Sequence, residues 1–145
     1  MKFVIQRVKE ASLKVDEKLI SEIKKGYVIF MGVKKGDNES NLDLYAKKIV
    51  NLRIFEDENE RMNYSIKDVN GEILLVSQFT LFADTSHGNR PSFFDAEAPE
   101  RANELYLKFA KKLEEYDIPV KLGIFGADMK ILQLNDGPTT IILDF

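Results

Sequence analysis

Two short uninterrupted apolar runs constrain most strongly what this 145-residue chain can fold into. They span residues 27–33 and 73–76. Apolar runs of this length without alternating polar residues are typical of strands buried on both faces. They are far shorter than the roughly 20 apolar residues that a membrane-spanning helix needs. The sequence therefore predicts one domain, residues 1–145, built around buried strands, since a chain of this length suits one hydrophobic core.

Two amphipathic stretches with helical spacing accompany the strand-like segments. Their apolar positions are Leu42, Tyr45, Ala46, Ile49 and Val50 in the first, and Ala102, Leu105, Tyr106, Phe109 and Leu113 in the second. Residues 40–43 predict a capping box for the first helix, and Pro99 is suited to the first turn of the second. Further strands are predicted at residues 3–8, 11–15, 52–55, 72–79, 120–125, 129–134 and 140–143. The fold class expected is α+β, with mixed or mostly antiparallel sheets and two main helices.

Composition excludes several classes of function. The chain has no cysteine, which removes disulfides, thiolate nucleophiles and zinc–thiolate sites. Its one histidine cannot supply a zinc site. Carboxylate-bound Mg²⁺ stays open as an alternative, but no Asp/Glu cluster demands it, so no metal and no cofactor are expected. The net charge of −3 argues against long DNA or RNA footprints but not against an enzyme that takes only the tip of an RNA. The N-terminus lacks the apolar region of a signal peptide, so we expect a cytoplasmic protein with no membrane partner.

The second apolar run is followed by Ser77, Gln78, Phe79 and Thr80, three of which carry polar side chains. This segment can be read simply as a strand that leaves the core. Alternatively, the backbone N–H groups after Gln78 point into a pocket, where paired N–H groups can stabilise an oxyanion during ester hydrolysis. Thr80 as a nucleophile would need a nearby base, and the local sequence offers none. We therefore favour a positioning role for Thr80.

The only histidine, His87, lies in a predicted long polar loop, residues 83–98. Loops of this length in small domains are often functional. A serine–histidine–aspartate triad would have to use this histidine, but a solvated loop side chain is the favoured interpretation.

Three further features have a plain structural interpretation when taken alone. Gly137 and Pro138 follow Asn-Asp and predict a hairpin turn between two strands. Phe125 and Met129 fit a strand–turn–strand with core side chains. Arg7 fits a surface charge on a strand.

Taken together, these segments resemble the D-aminoacyl-tRNA deacylase family, whose members hydrolyse the ester between a D-amino acid and tRNA. The resemblance rests on residues 6–8, 11–12, 32–33, 48–55, 77–85, 90–93, 123–129 and 135–140, in family order, and it covers essentially the whole chain. Two departures are visible. Thr139 stands where valine is common, and residues 86–89 are less basic than is usual in the family.

The resemblance implies a homodimer with the active site at the subunit interface. Gly137-Pro138 of one chain, joined by a cis bond, would enter the pocket of the other and be held there with the help of Arg7. Its backbone carbonyls would reject an L side chain while admitting a D-aminoacyl group or glycine.

The implied reaction is hydrolysis at the 3′ end of aminoacyl-tRNA by a water molecule, assisted by the ribose 2′-hydroxyl. The N–H groups of Phe79 and Thr80 would hold the oxyanion, while Ser77 and Gln78 bind and orient the substrate. Phe125 and Met129 would line the pocket near the terminal adenosine.

Two alternatives stay open at this point. One is a non-enzymatic dimeric module that binds RNA ends, and the other is a general esterase that uses His87.

Overall fold

The computed structural model describes residues 1–145, and one long strand organises its sheet. The strands are β1 (Lys2–Val15), β2 (Lys18–Ile23), β3 (Gly26–Gly32), β4 (Phe55–Glu56), β5 (Met62–Tyr64), β6 (Glu72–Ser77), β7 (Val120–Leu122) and β8 (Lys130–Asp144). The helices are α1 (Leu42–Val50) and α2 (Pro99–Glu114), with short 3-10 turns at Glu39–Asn41 and Phe79–Phe82. Neither α-helix has the length and apolar character that crossing a membrane requires.

Strand β1 is hydrogen-bonded along both of its edges. β3 and then β2 pair with it antiparallel along one edge, and β8 pairs antiparallel along the other. β6 and β7 extend the sheet beyond β3 in parallel. β4 and β5 form a separate antiparallel pair. The result is a mixed sheet with two helices, which confirms the α+β prediction.

The uninterrupted apolar runs are explained by two cores, one on each face of this sheet. Ile29 and Leu75 face the larger core, which α1 and α2 cover. The residues just before them, Val28 and Leu74, point to the other face and join a smaller cluster. Because successive strand residues point to opposite faces, a strand buried on both sides must be apolar at every position.

The parallel pairing of β3 with β6 depends on Gly26. A Cβ atom at this position would lie 1.8 Å from the carbonyl oxygen of Glu72. Any side chain here would therefore push the two strands apart where their pairing begins.

The helix predictions are confirmed in position, but the capping box of α1 is wrong. α2 begins at Pro99, as predicted. Ahead of α1, the side chain of Asn38 accepts a hydrogen bond from the Ser40 amide and caps a 3-10 turn. Asn41, at the N-cap of α1 itself, makes no side-chain capping bond. The 3-10 turn absorbs the polar residues that would otherwise cap the α-helix.

Several predicted strand boundaries are also wrong. The single strand β1 contains both residues 3–8 and residues 11–15. The single strand β8 begins at residue 130 and contains the rest of the predicted strands 129–134 and 140–143. Gly137-Pro138 is therefore not a hairpin turn. Both halves of β8 pair with the same strand, with Gln6 opposite Thr140 and Val8 opposite Asn135. Residues 136–139 thus stand opposite Arg7 alone and form a bulge, so the chain does not reverse.

The remaining strands at this side of the sheet are shorter than predicted. β6 ends at Ser77, because the chain turns into the 3-10 turn at Phe79. β7 ends at Leu122 rather than at residue 125.

Burial of Tyr106 makes the stability of the fold depend on pH in the alkaline range. Its hydroxyl donates to the Leu75 carbonyl at 2.7 Å, and burial raises the pKa of Tyr106 to about 12. An unfolded tyrosine titrates near pH 10. Between about pH 10 and about pH 12 only the unfolded state loses this proton, so stability falls as pH rises through that window.

We expect the free energy of unfolding, measured by urea titration, to fall across this window by up to about 1.4 kcal/mol per pH unit for this group. Tyr106→Phe should lose part of that dependence. Tyr27, whose pKa burial also raises, keeps its own share in the variant. Identical pH dependence in the two proteins would contradict this assignment.

Candidate active site at the carboxyl ends of the parallel strands

The carboxyl ends of β3, β6 and β7 lie at the same edge of the sheet. Met31 of β3 stands opposite Ser77, and Leu75 stands opposite Leu122. Open sheets bind their ligands just beyond this edge of parallel strands. The segments that follow the three strands are therefore the candidate site.

The 3-10 turn that follows β6 begins with two backbone N–H groups that have no partner within the turn. The Gln78 amide still donates to the Met31 carbonyl at 2.8 Å, and the chain then enters the 3-10 turn. The amides of Leu81 and Ala83 bond within the turn. Phe79 and Thr80 are the first two residues of the turn, so their amides have no acceptor within it, and they donate to no side chain and to no loop carbonyl. Two adjacent free N–H groups at an exposed turn can accept a negatively charged oxygen.

The hydroxyl of Thr80 is held by its own segment. It accepts a hydrogen bond from Nε2 of Gln78 at 2.5 Å, and no titratable side chain bonds to it. A threonine hydroxyl needs an adjacent base to act as a nucleophile. This geometry offers the hydroxyl as a positioned donor and provides no base.

The structure does not assemble a triad around His87. His87 is exposed, and its ring makes no hydrogen bond or ion pair. The nearby carboxylate of Asp84 accepts from the Ser86 amide, which holds the pKa of Asp84 below its usual range. The Ser-His-Asp arrangement therefore has no geometric support.

Phe125 and Met129 follow β7 toward the same edge. Phe125 is half-buried, with its ring centroid 6.2 Å from that of Tyr106. Met129 packs against the smaller core, and a Cβ atom on Gly123 would lie 2.6 Å from its sulfur. Phe125 therefore packs on the side of the larger core and Met129 on the side of the smaller one.

Gly32 also serves this site, although the sequence interpretation assigned it no role. A Cβ atom there would lie 3.0 Å from the Phe82 ring and 3.2 Å from the Gln78 carbonyl oxygen. The absent side chain lets the 3-10 turn lie against the end of β3. The available signal was a glycine closing a buried apolar run.

Arg7 is buried, which corrects its interpretation as a surface charge. Only 3% of it is exposed. Its Nε donates to the Asp136 carbonyl at 3.0 Å and lies 3.5 Å from the Asp136 carboxylate. One terminal nitrogen donates to the Ile54 carbonyl at 2.6 Å, and the other lies 3.4 Å from Glu56. The guanidinium therefore joins the β4 segment to the bulge in β8.

The bulge itself presents Gly137 and Pro138 to solvent, while the next residue, Thr139, is buried. The Gly137–Pro138 peptide bond is cis, and Gly137 has a φ of 128°. A Cβ atom on Gly137 would lie 3.1 Å from the Arg7 guanidinium and 2.7 Å from the Thr139 hydroxyl. Glycine is required here both for the backbone angle and for the space.

One chain does not bring this bulge to the free N–H groups. Across the sheet, Ser77 of β6 pairs with Met31 of β3, Met31 with Phe3 of β1, and Phe3 with Leu143 of β8. β6 and β8 are therefore three strand spacings apart. That is roughly 14 Å across the sheet, and Pro138 lies about 16 Å further along β8. The two halves of the predicted site are therefore on the order of 20 Å apart within one chain.

Comparison with known proteins places the chain among deacylases. Residues 4–144 match the family model described as D-Tyr-tRNA(Tyr) deacylase. The D-aminoacyl-tRNA deacylase of Flavobacterium psychrophilum is 54% identical over 99% of this chain and 97% of its own length. That of Aquifex aeolicus is 51% identical, with the same coverage of both chains.

Two solved structures share the fold. One, named c-Myc DNA Unwinding Element Binding Protein, is 40% identical, with a TM-score of 0.92 over 100% of this chain and 99% of its own. The other, described as a probable eukaryotic D-amino acid tRNA deacylase, is 17% identical. Its TM-score is 0.82 over 99% of this chain and 98% of its own, and it shows likeness of fold alone.

The buried contacts of Arg7 predict a large loss of stability when the guanidinium is removed. Arg7→Met keeps the length of the side chain but leaves two main-chain carbonyls without their donor and two carboxylates, of Glu56 and Asp136, without their cation. We expect the free energy of unfolding, measured by urea titration, to fall by about 3 kcal/mol. The matched control is Arg61→Met, which removes an exposed arginine and should cost no more than about 0.5 kcal/mol. Equal losses of unfolding free energy in the two variants would show that the contacts of the Arg7 guanidinium do not stabilise the fold.

Proposed function

The chain belongs to the D-Tyr-tRNA(Tyr) deacylase family and is by class a D-aminoacyl-tRNA deacylase, and on this premise we propose how its residues carry out the reaction. The ester between a D-amino acid and the 3′ end of tRNA is hydrolysed at the edge formed by β3, β6 and β7. The products are the free D-amino acid and tRNA. The observation that carries the proposal is the pair of adjacent N–H groups, on Phe79 and Thr80, that begin the exposed 3-10 turn and have no acceptor within it.

The two N–H groups would stabilise the negative charge that develops on the ester oxygen. Water adds to the carbonyl carbon, the carbonyl oxygen becomes an oxyanion, and the bond to the ribose oxygen then breaks. The ribose oxygen leaves with a proton. Donors fixed before the reaction are effective because they need not reorganise as the charge appears.

The proton chemistry is assigned to the substrate, because no base of the chain lies beside Thr80. The 2′-hydroxyl adjacent to the ester would orient and activate the water. Ser77 and Gln78 would orient the aminoacyl group. The side-chain amide of Gln78 donates to the Thr80 hydroxyl oxygen, which leaves the hydroxyl proton for the substrate. No metal or cofactor enters the scheme.

Selection against L-amino acids is assigned to Gly137-Pro138 of a second copy of the chain. Backbone carbonyls placed against the α-carbon leave room for hydrogen but not for a side chain on that face. The bulge suits this role because it is exposed and Arg7 anchors it from behind. Glycine carries no side chain, so a glycyl ester would also be admitted.

A second copy is needed because one chain holds the bulge and the free N–H groups far apart. The surface beside the bulge is also suited to association. β8 is an edge strand that leaves Leu132, Leu134 and Ile142 exposed by 78%, 53% and 64%. Exposed apolar edge strands are typical of interfaces. We therefore propose a homodimer in which each site is completed by the partner.

The terminal adenosine is assigned to the wall that follows β7. The half-buried ring of Phe125 offers a face for stacking, and Met129 packs beneath the same turn. We propose that the reaction takes place in the cytoplasm, because its substrate is a tRNA.

A binding module without catalysis is the competing function, and the 40% identical protein of known structure is named for binding DNA. The net charge of −3 argues against an extended nucleic-acid footprint here. Turnover separates the two functions directly, since a binding module would hold its ligand and release no amino acid.

The decisive assay follows hydrolysis of matched D- and L-tyrosyl-tRNA by purified protein in the presence of a chelator. We expect the D-ester to be lost roughly 100-fold faster than the L-ester, a difference of about 3 kcal/mol. Glycyl-tRNA should behave like the D-ester. Equal loss of the two tyrosyl esters would break the stereochemical assignment, and loss of neither would favour the binding module.

Thr80→Ala distinguishes a positioning hydroxyl from a nucleophile. Removal of one hydrogen bond should lower kcat for D-tyrosyl-tRNA by about tenfold. Loss of a nucleophile would instead abolish turnover, by on the order of a millionfold. The matched control is Thr85→Ala, an exposed threonine of the adjoining loop that should keep the wild-type rate. Complete inactivity of a folded Thr80→Ala protein that still binds substrate would refute the positioning role.

A further inference from the structure

We propose that Phe79, Phe94 and Lys35 form a stacking surface for the unpaired nucleotides that precede the esterified adenosine. The proposal rests on the deacylase function above, because it extends the substrate contact from the ester to the adjoining RNA strand. The three residues are called the aromatic platform below.

Exposure sets these two aromatic rings apart from the core. Phe94 is 77% exposed and Phe79 is 55% exposed, whereas Phe3 and Phe109 are completely buried. A large aromatic side chain gains free energy by leaving water. Two that stay in solvent beside a candidate site present open faces to a ligand.

A cation accompanies the more exposed ring. The ammonium of Lys35 lies 3.5 Å from the centroid of Phe94 and forms no ion pair. The neighbouring Lys34 is instead paired with Asp95 at 3.8 Å. Lys35 therefore covers one face of the Phe94 ring, keeps its charge available for a phosphate, and leaves the remaining ring surface to solvent.

The platform begins at the catalytic segment and leads away from it. Phe79 directly precedes Thr80, and the edge of the Phe93 ring meets the Phe79 ring at 4.9 Å. Phe94 follows Phe93 in the chain. A strand that places its terminal ester at the N–H groups of Phe79 and Thr80 would pass these rings with its preceding bases.

Main-chain hydrogen bonds hold the platform in place. The Lys35 amide donates to the Asp95 carbonyl at 2.9 Å. Asp84 and Ser92 exchange two backbone bonds of 2.8 Å, which close the intervening loop. Because the loop is tied at these points, its rings are presented without first being ordered by the ligand.

Single-stranded RNA is the occupant that this chemistry favours. Every base offers a flat face to an aromatic ring, and every nucleotide brings a phosphate for a nearby cation. The acidic chain also limits nucleic-acid contact to a few local cations, which suits the short unpaired end of a tRNA. A protein partner would gain from the apolar rings but has no general use for the unpaired lysine.

The test compares two substrates, D-tyrosyl-tRNA and the D-tyrosyl ester of adenosine alone. Phe94→Ala should raise KM for the tRNA roughly 5- to 150-fold, the range for one base–aromatic stack, and leave KM for the adenosine ester unchanged. Phe94→Trp should restore the wild-type KM. Lys35→Gln should reduce the slope of log KM against log salt by about 0.7 for the tRNA only. The control is Leu44→Ala, which removes a similarly exposed apolar side chain from α1.

The outcomes separate this inference from the function on which it rests. A wild-type protein that hydrolyses both substrates, with Phe94→Ala affecting neither or both alike, overturns the platform and leaves the deacylase function standing. A wild-type protein that hydrolyses neither contradicts the function. For a protein without hydrolytic activity, the affinity for a short single-stranded RNA ending in adenosine still tests the platform. An affinity that Phe94→Ala does not change would overturn it. A change of oligomeric state in Phe94→Ala also overturns it, since the ring would then serve a protein contact.

Discussion

The rest of the structure depends on the pairing of β1 along both of its edges. β3 and β2 occupy one edge and β8 the other, so the strand is central and its backbone donors and acceptors are used on both sides. Burial on both faces then requires near-continuous apolar sequence in the neighbouring strands, which β3 and β6 supply. The parallel extension from β3 to β6 and β7 brings three carboxyl ends to one edge, where the free N–H groups of the 3-10 turn lie.

The same pairing separates the two halves of the proposed site. Arg7 belongs to β1 and needs buried partners, since an unpaired buried cation is costly. It finds them in the carbonyls of Ile54 and Asp136, and so anchors the bulge of β8 from behind. The bulge then lies several strands from Ser77, and only another molecule can place it at the oxyanion donors. On this account, association and stereochemical selection have one cause, the position of β8 at the sheet edge.

Local spacing predicted what depends on local contacts, and distant pairing decided the rest. The helical periodicity of α1 and α2 was sufficient because each presents one apolar face to the core. Asn-Asp-Gly-Pro predicted a hairpin, but pairing of both flanks with β1 converted it into a bulge. Arg7 looked exposed because its acceptors are main-chain carbonyls 47 and 129 residues away, which leave no mark in the adjacent sequence. The proposed oxyanion donors were inferred with the help of family resemblance, since backbone N–H groups carry no sequence signal of their own.

In the proposed dimer, Gly137-Pro138 of one molecule meets the segment around Thr80 of another, and site-directed crosslinking can detect this contact. The chain has no cysteine, so single cysteines at Ala83 and Asn135, both exposed, are unique labels. When the two single-cysteine proteins are mixed and treated with a short thiol-reactive crosslinker, the account predicts a covalent dimer containing one of each. A double-cysteine protein should crosslink between molecules rather than within one. Crosslinking only within a single chain, by a protein that still hydrolyses D-tyrosyl-tRNA, would contradict it.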